Sequence, residues 1–309
     1  MDSASANNTP APDPGLPPVR PPSGRFIAQL FVIPALIILV VVLLFLGFAV
    51  FVRNSREPEY FLAQLDSDNH DIRWRGMNDL AQILKRTEPA ALRWKTDVNF
   101  GFELADRLDK TFHELIVDEK RIGDEIANST DKDKHLLWRK LREKRDYAGF
   151  LAGALGEMQI PVGAPVLCDI IRHDDSPDVN GNTMRRRQAI WALMNMGENM
   201  KGFAKLPDER RKEIVTALTE ESQLSGNRGK WAQTTLYYVD RSALPTGASP
   251  NIVRVDETLA VAADAEDQYL RQLTAMAFTY WDGELAVPTL LKLCNDRGQG
   301  SVLRVEEKD

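Results

Sequence analysis

The sequence predicts an all-α protein, on three observations. Apolar residues recur at intervals of three and four through residues 59–296, the spacing of one helix face. No long alternating run rich in Val, Ile and Thr appears, so strands are not expected. Ahead of this region lies a 27-residue stretch, Phe26 to Val52, without a single charged side chain.

The elements follow in chain order. Residues 1–25 are rich in Pro, Ala, Ser and Asn. They hold too little apolar surface to offset the entropy of ordering, and a disordered, polyproline-like tail is expected. Residues 26–52 then read as a transmembrane helix, because a bilayer core about 30 Å thick needs about 20 apolar residues. Gln29 is its one strongly polar residue, and Pro34 sits one third of the way along. A cleaved signal peptide would have a shorter apolar region followed by small residues; this one ends in Phe48-Ala49-Val50-Phe51-Val52. Arg20 and Arg25 precede the span, whereas Arg53, Arg56, Arg73 and Arg75 follow it. Their distribution leans toward a cytoplasmic C-terminal side. The expected product is a single-pass membrane protein.

Residues 53–58 form a polar hinge. From Glu59, Tyr60, Phe61, Leu62 and Leu65 share a helical stripe. Asp66 to Asp71 supplies turn and capping chemistry, and Ile72, Met77, Leu80, Ala81 and Leu84 carry the next helix. Two longer helices are expected between 97 and 158. The first carries Phe100, Leu104, Leu108, Phe112, Leu115 and Ile116. After a break at Ala127 to Asp131, the second carries Leu136, Leu137, Leu141 and Tyr147. Its first half is basic, with Lys132, Lys134, Arg139, Lys140, Arg142, Lys144 and Arg145. Interspersed acids make a solvated face the simplest role; a patch for anionic lipid or an acidic partner is the sharper one.

Residues 161–197 are the most specific segment. Pro161 to Ile171 is a short apolar helix, His173-Asp174-Asp175-Ser176-Pro177-Asp178 a turn, and Arg185 to Gly197 a second helix closed by a glycine. This resembles a HEAT repeat, a helix pair in which a proline opens the first helix and arginines open the second. The loop departs from that pattern by an insertion, Asn180-Gly181-Asn182-Thr183. Weaker echoes lie at Tyr60–Leu84, Tyr147–Glu157, Arg210–Tyr238 and Leu270–Asp296. The resemblance covers about two thirds of residues 59–296 and implies an irregular α-solenoid of antiparallel helix pairs with protein partners. Pro245 to Pro250 reads as another insertion, and 297–309 as a flexible tail. Within the clear repeat, Ile190, Leu193, Met194 and Gly197 should pack on Val166, Leu167 and Ile170. Trp191 borders that stripe, and Trp191 and Trp231 are expected to serve core packing. Arg186 is expected to face outward.

Composition narrows the function. The chain has 309 residues and a formal net charge of −6, against the concentrated positive field that nucleic acid binding needs. Its two cysteines, Cys168 and Cys294, make no disulfide framework, and both fall in apolar helical patterns suited to core thiols. His70, His113, His135 and His173 lie far apart, and His113-Glu114 lacks a second histidine four residues after the first. Asp174, Asp175 and Asp178 lack the downstream glutamate of a calcium loop. Phosphate-binding glycine loops, dinucleotide fingerprints and nucleophile elbows are absent. No catalytic residue, cofactor, metal or small-molecule substrate is therefore expected. The expected function is a non-catalytic, membrane-anchored helical scaffold that binds protein partners. The alternatives are a permanent subunit of a larger membrane complex, or an enzyme built from scattered carboxylates such as Asp256, Glu257, Asp264, Glu266 and Asp267.

Overall fold

The computed structural model describes residues 23–54, 58–127, 130–173, 182–247, 251–281 and 283–295. Most of the Pro-rich tail lies outside these residues, as do hinge residues 55–57, residues 128–129 of the first break and residues 248–250. Residues 174–181, with most of the acidic turn and the first half of the insertion, and the C-terminal stretch 296–309 also lie outside them, while Asn182 and Thr183 of the insertion open a helix. The chain comprises two compact units, Met1–Glu57 and Pro58–Asp309.

Among the described residues the first unit contains one helix, α1 (Gly24–Asn54), which runs through Pro34 without a break. Within it, the 20 residues Ala28–Gly47 are long and apolar enough to cross a membrane, and none is buried. At about 1.5 Å per residue this stretch matches a hydrocarbon core of about 30 Å.

The second unit is all-α, with no strand among the described residues. It begins with α2 (Pro58–Leu65), which buries Phe61, Leu62 and Leu65 against α3 (His70–Leu84). Asn69 caps α3, its side chain accepting from the amides of Asp71 at 2.9 Å and Ile72 at 3.5 Å. Met77, Leu80 and Leu84 face the core, but Ile72 is exposed. Five residues separate Ile72 from Met77, which rotates the side chain roughly 140° off the stripe. A short helix, α4 (Pro89–Lys95), follows; its seven residues are too few to show a period.

Helices α5 (Val98–Ala127) and α6 (Asp131–Gly156) pack together, and the break between them falls where the sequence places it. Phe100, Leu104, Leu108, Phe112 and Leu115 are all buried, whereas Leu136 on α6 is exposed. Helices α7 (Ala164–Arg172) and α8 (Asn182–Phe203) also pack together, and α8 touches α6 and α12 (Gln268–Ala277) as well. The remaining helices are α9 (Asp208–Glu221), α10 (Asn227–Val239), α11 (Val255–Ala262) and α13 (Ala286–Cys294). α9 packs on α10 and α11 on α7. One connected core runs through the unit from Phe61 to Ala286.

Being central, α8 corrects three expectations. It does not stop at Gly197 but continues to Phe203. Gly197 is there because the chain comes close: a Cβ would lie 2.7 Å from that of Tyr280 and 2.8 Å from the Trp281 indole nitrogen. That nitrogen donates to the Leu193 carbonyl at 2.8 Å. Trp191 is 49% exposed and does not pack in the core. The buried side chains of α8, among them Ala189, Ile190, Leu193 and Met196, span one arc, and at 100° per residue Trp191 lies roughly opposite its centre. Arg186, expected outside, is 9% exposed, and its Nε donates to the Ile171 carbonyl at 2.9 Å. It is four residues before Ile190 and seven before Leu193, so it shares their side of the helix. Trp231 is buried as expected. Of the two thiols only Cys168 is in the core; burial pushes its pKa up to about 11, while Cys294 is exposed.

Candidate functional site

Two parts of the second unit gather chemistry-bearing side chains. The first is a cleft of about 590 Å³ lined by α5, α7, α10 and the stretch leading into α11. On α5, Asp109 and His113 are four residues apart and so stand on one face. α7 contributes Asp169 and Arg172, α10 contributes Asn227, Lys230 and Trp231, and Asn251 and Val253 complete the wall. One donor atom each from Asp109, His113 and Asp169 lies within 4.8 Å of the others.

One contact assigns the tautomer of His113. His113 Nδ1 is 2.8 Å from the Asp109 main-chain oxygen. A carbonyl only accepts, so Nδ1 carries the proton, and in the neutral ring Nε2 keeps its lone pair. Asn227 donates to Asp109 Oδ2 at 3.4 Å, and His113 Nδ1 is 3.6 Å from Oδ1. Burial raises the pKa of Asp109 and Asp169 adds to the rise; His113 and Asn227 oppose it. Among the described residues, neither Asp109 nor Asp169 has a lysine or arginine within ion-pair distance. Arg172 turns instead to Glu257 and the Arg254 carbonyl.

The second part is the basic run of α6. The side chain of Lys132 lies outside the described residues, and Lys134 is half-buried. Arg139, Lys140 and Arg142 are exposed, Arg139 lying 3.4 Å from Glu143. Lys144 and Arg145 turn inward. Lys144 bonds Asp118 and lies 3.5 Å from Glu114, and Arg145 Nε donates to Glu119 at 2.8 Å. The other Glu119 oxygen accepts from Arg185 of α8, so these charges tie α5, α6 and α8 together. Trp138 and Leu136 are also exposed, at 45% and 49%, but two residues apart they point to different sides of α6. A groove of about 240 Å³ beside Arg139 and Arg142 is walled on its far side by Arg73 and Trp74 of α3.

The scattered carboxylates do not converge. Asp256 is buried and takes both Arg254 nitrogens at 2.9 and 2.8 Å. Asp267 caps α12 and bonds Arg187 at 2.6 Å, and Asp264 pairs with Lys292. The histidines are also separate: His70 is 3.8 Å from Glu143, and His173 stacks edge-on to Phe112 at 5.4 Å. The Asp109–His113–Asp169 cluster was not anticipated. An Asp and a His four apart are visible in the sequence, but Asp169 is 56 residues from His113, and only packing brings it near.

Among the described residues the chain is all-α, with one apolar helix of membrane-crossing length and a separate helical unit. No family model matches the chain, and no curated protein matches it.

Proposed function

We propose that this protein is a single-pass membrane scaffold whose helical unit, an irregular HEAT-like solenoid, binds protein partners at the membrane surface. The observation that carries this reading is the groove between α3 and α6, with Arg73 and the exposed Trp74 on one wall and the exposed Arg139 and Arg142 on the other. Tryptophan and arginine are enriched where partners dock. The cations favour a partner that presents carboxylates beside apolar side chains. The anchor rests on the length and composition of α1, and the arginine distribution supports a cytoplasmic side for the helical unit.

Antiparallel pairing is supported at two levels along α5 and α6. Asp118 and Glu119 meet Lys144 and Arg145, while Gly101 faces Met158 just past the end of α6. In α7 and α8, the bond from Arg186 to Ile171 joins the start of one helix to the end of the other. The contacts of α8 with α6 and α12 add the irregularity.

Two measurements test the reading. Alkaline carbonate extraction should leave the full chain in the membrane pellet, and residues 58–309 expressed alone should be soluble; recovery of the full chain in the supernatant would remove the anchor. A photo-reactive residue at Trp74, in intact membranes, should give a discrete crosslinked partner that the same residue at Glu209 does not. Identical patterns from both positions would refute the docking face.

A further inference from the structure

We propose that Asp109, His113 and Asp169 bind a divalent transition cation such as Zn²⁺. The inference is independent of the scaffold reading. Two carboxylates and one imidazole nitrogen converge within 4.8 Å. Donors sharing one such ion, each at about 2.0–2.2 Å from it, sit about 3–3.5 Å apart. The remaining gap is within reach of side-chain rotation, because His113 and Asp169 are exposed while the helices hold their backbones. The two carboxylates face each other with no lysine or arginine in contact among the described residues, so a cation between them would relieve the repulsion. A bond from His113 Nδ1–H to a main-chain oxygen is the kind of outer-shell arrangement that fixes the orientation of an imidazole ligand. Asn227 donates to Asp109 Oδ2, a second bond that orients a ligand of the cluster.

The donor set selects the class of ion. One nitrogen and two oxygens suit zinc, manganese or iron(II), whereas calcium and magnesium prefer oxygen alone and copper(I) prefers sulfur. Three protein ligands also leave coordination positions open toward the cleft, a feature of reactive rather than purely structural sites.

Titration calorimetry of the full chain in detergent, with ZnCl₂ as titrant and Cys294→Ser to remove the exposed thiol, tests this. One equivalent of Zn²⁺ should bind, and MgCl₂ should give no comparable heat. His113→Gln and Asp169→Asn should each weaken binding at least tenfold, the loss seen when metal-site partners are removed, while His135→Gln, a change at an exposed histidine elsewhere, should leave it unchanged. Circular dichroism of each variant verifies folding; both substitutions are at exposed positions, and either alone suffices. Absence of binding, or binding that survives both substitutions, would overturn the proposal.

Discussion

Leu193 and Arg186 point to the same side of α8, and both are buried. Their energetics differ in kind. Leu193→Ala removes apolar contacts in a fully buried position and should cost about 2–5 kcal/mol. Arg186→Ala takes the donor from the Ile171 carbonyl and should cost about 1–3 kcal/mol, the usual penalty for orphaning a buried polar group. Trp191→Ala, at a half-exposed position, should change stability by no more than about 0.5 kcal/mol. Urea unfolding of residues 58–309 gives the order. A loss at Trp191 greater than at Arg186 would mean that α8 is rotated from the position described. Reading Arg186 as outward followed residue type; the seven-residue spacing to Leu193, also in the sequence, indicated the buried side.

At the level of the element, two glycines of α6 make a matched pair. Gly156 faces α8 so closely that a Cβ would lie 2.9 Å from the Ala192 carbonyl oxygen and 3.1 Å from its Cα. Those are backbone atoms of a central helix and cannot turn aside. Gly156→Ala should therefore destabilise by about 1–3 kcal/mol. A Cβ on Gly153 would meet nothing within 4 Å. Gly153→Ala should stabilise by about 0.5–1 kcal/mol, because glycine inside a helix costs that much relative to alanine. Opposite signs from two substitutions three residues apart would establish the crossing of α6 and α8. Equal signs would contradict it. The sequence offers the same signal at both glycines, and only the neighbour differs.

Across the whole helical unit, ion pairs join elements distant in sequence. Asp118 on α5 accepts from Lys144 on α6 and from Arg121 on its own helix. The bond to Lys144, helped by Arg121, holds the Asp118 carboxyl below its ordinary value of 3.8 against the opposing effect of burial. A carboxyl lowered on folding contributes stability above its unfolded pKa and loses it as pH falls through the folded one. The urea midpoint of residues 58–309 should therefore drop on acidification below about pH 4, the range of an unfolded aspartate. Asp118→Asn should flatten part of that drop. An unchanged pH profile in the variant would mean that the Lys144 bond adds nothing in solution.

The sequence by itself determined the helical class, the 20-residue apolar stretch in α1 and most helix positions from α2 to α13. These properties are local: hydrophobic period, helix-capping residues and turn composition act within a few residues of where they are read. It missed α4 because seven residues show no period, and it missed α11 because an acidic start resembles a loop; Asp256 there is buried only because Arg254 neutralises it. The outward position of Trp191 and the continuation of α8 past Gly197 were decided by what packs on α8, above all the close approach of Tyr280 and Trp281. The inward turn of Lys144 and Arg145 depended on acids of α5 that no spacing links to them. The meeting of Asp109 and His113 with Asp169 is the clearest case. Helix geometry aligns the first two, but the third comes from another helix, and only the packing of α5 beside α7 brings its charge into the cluster.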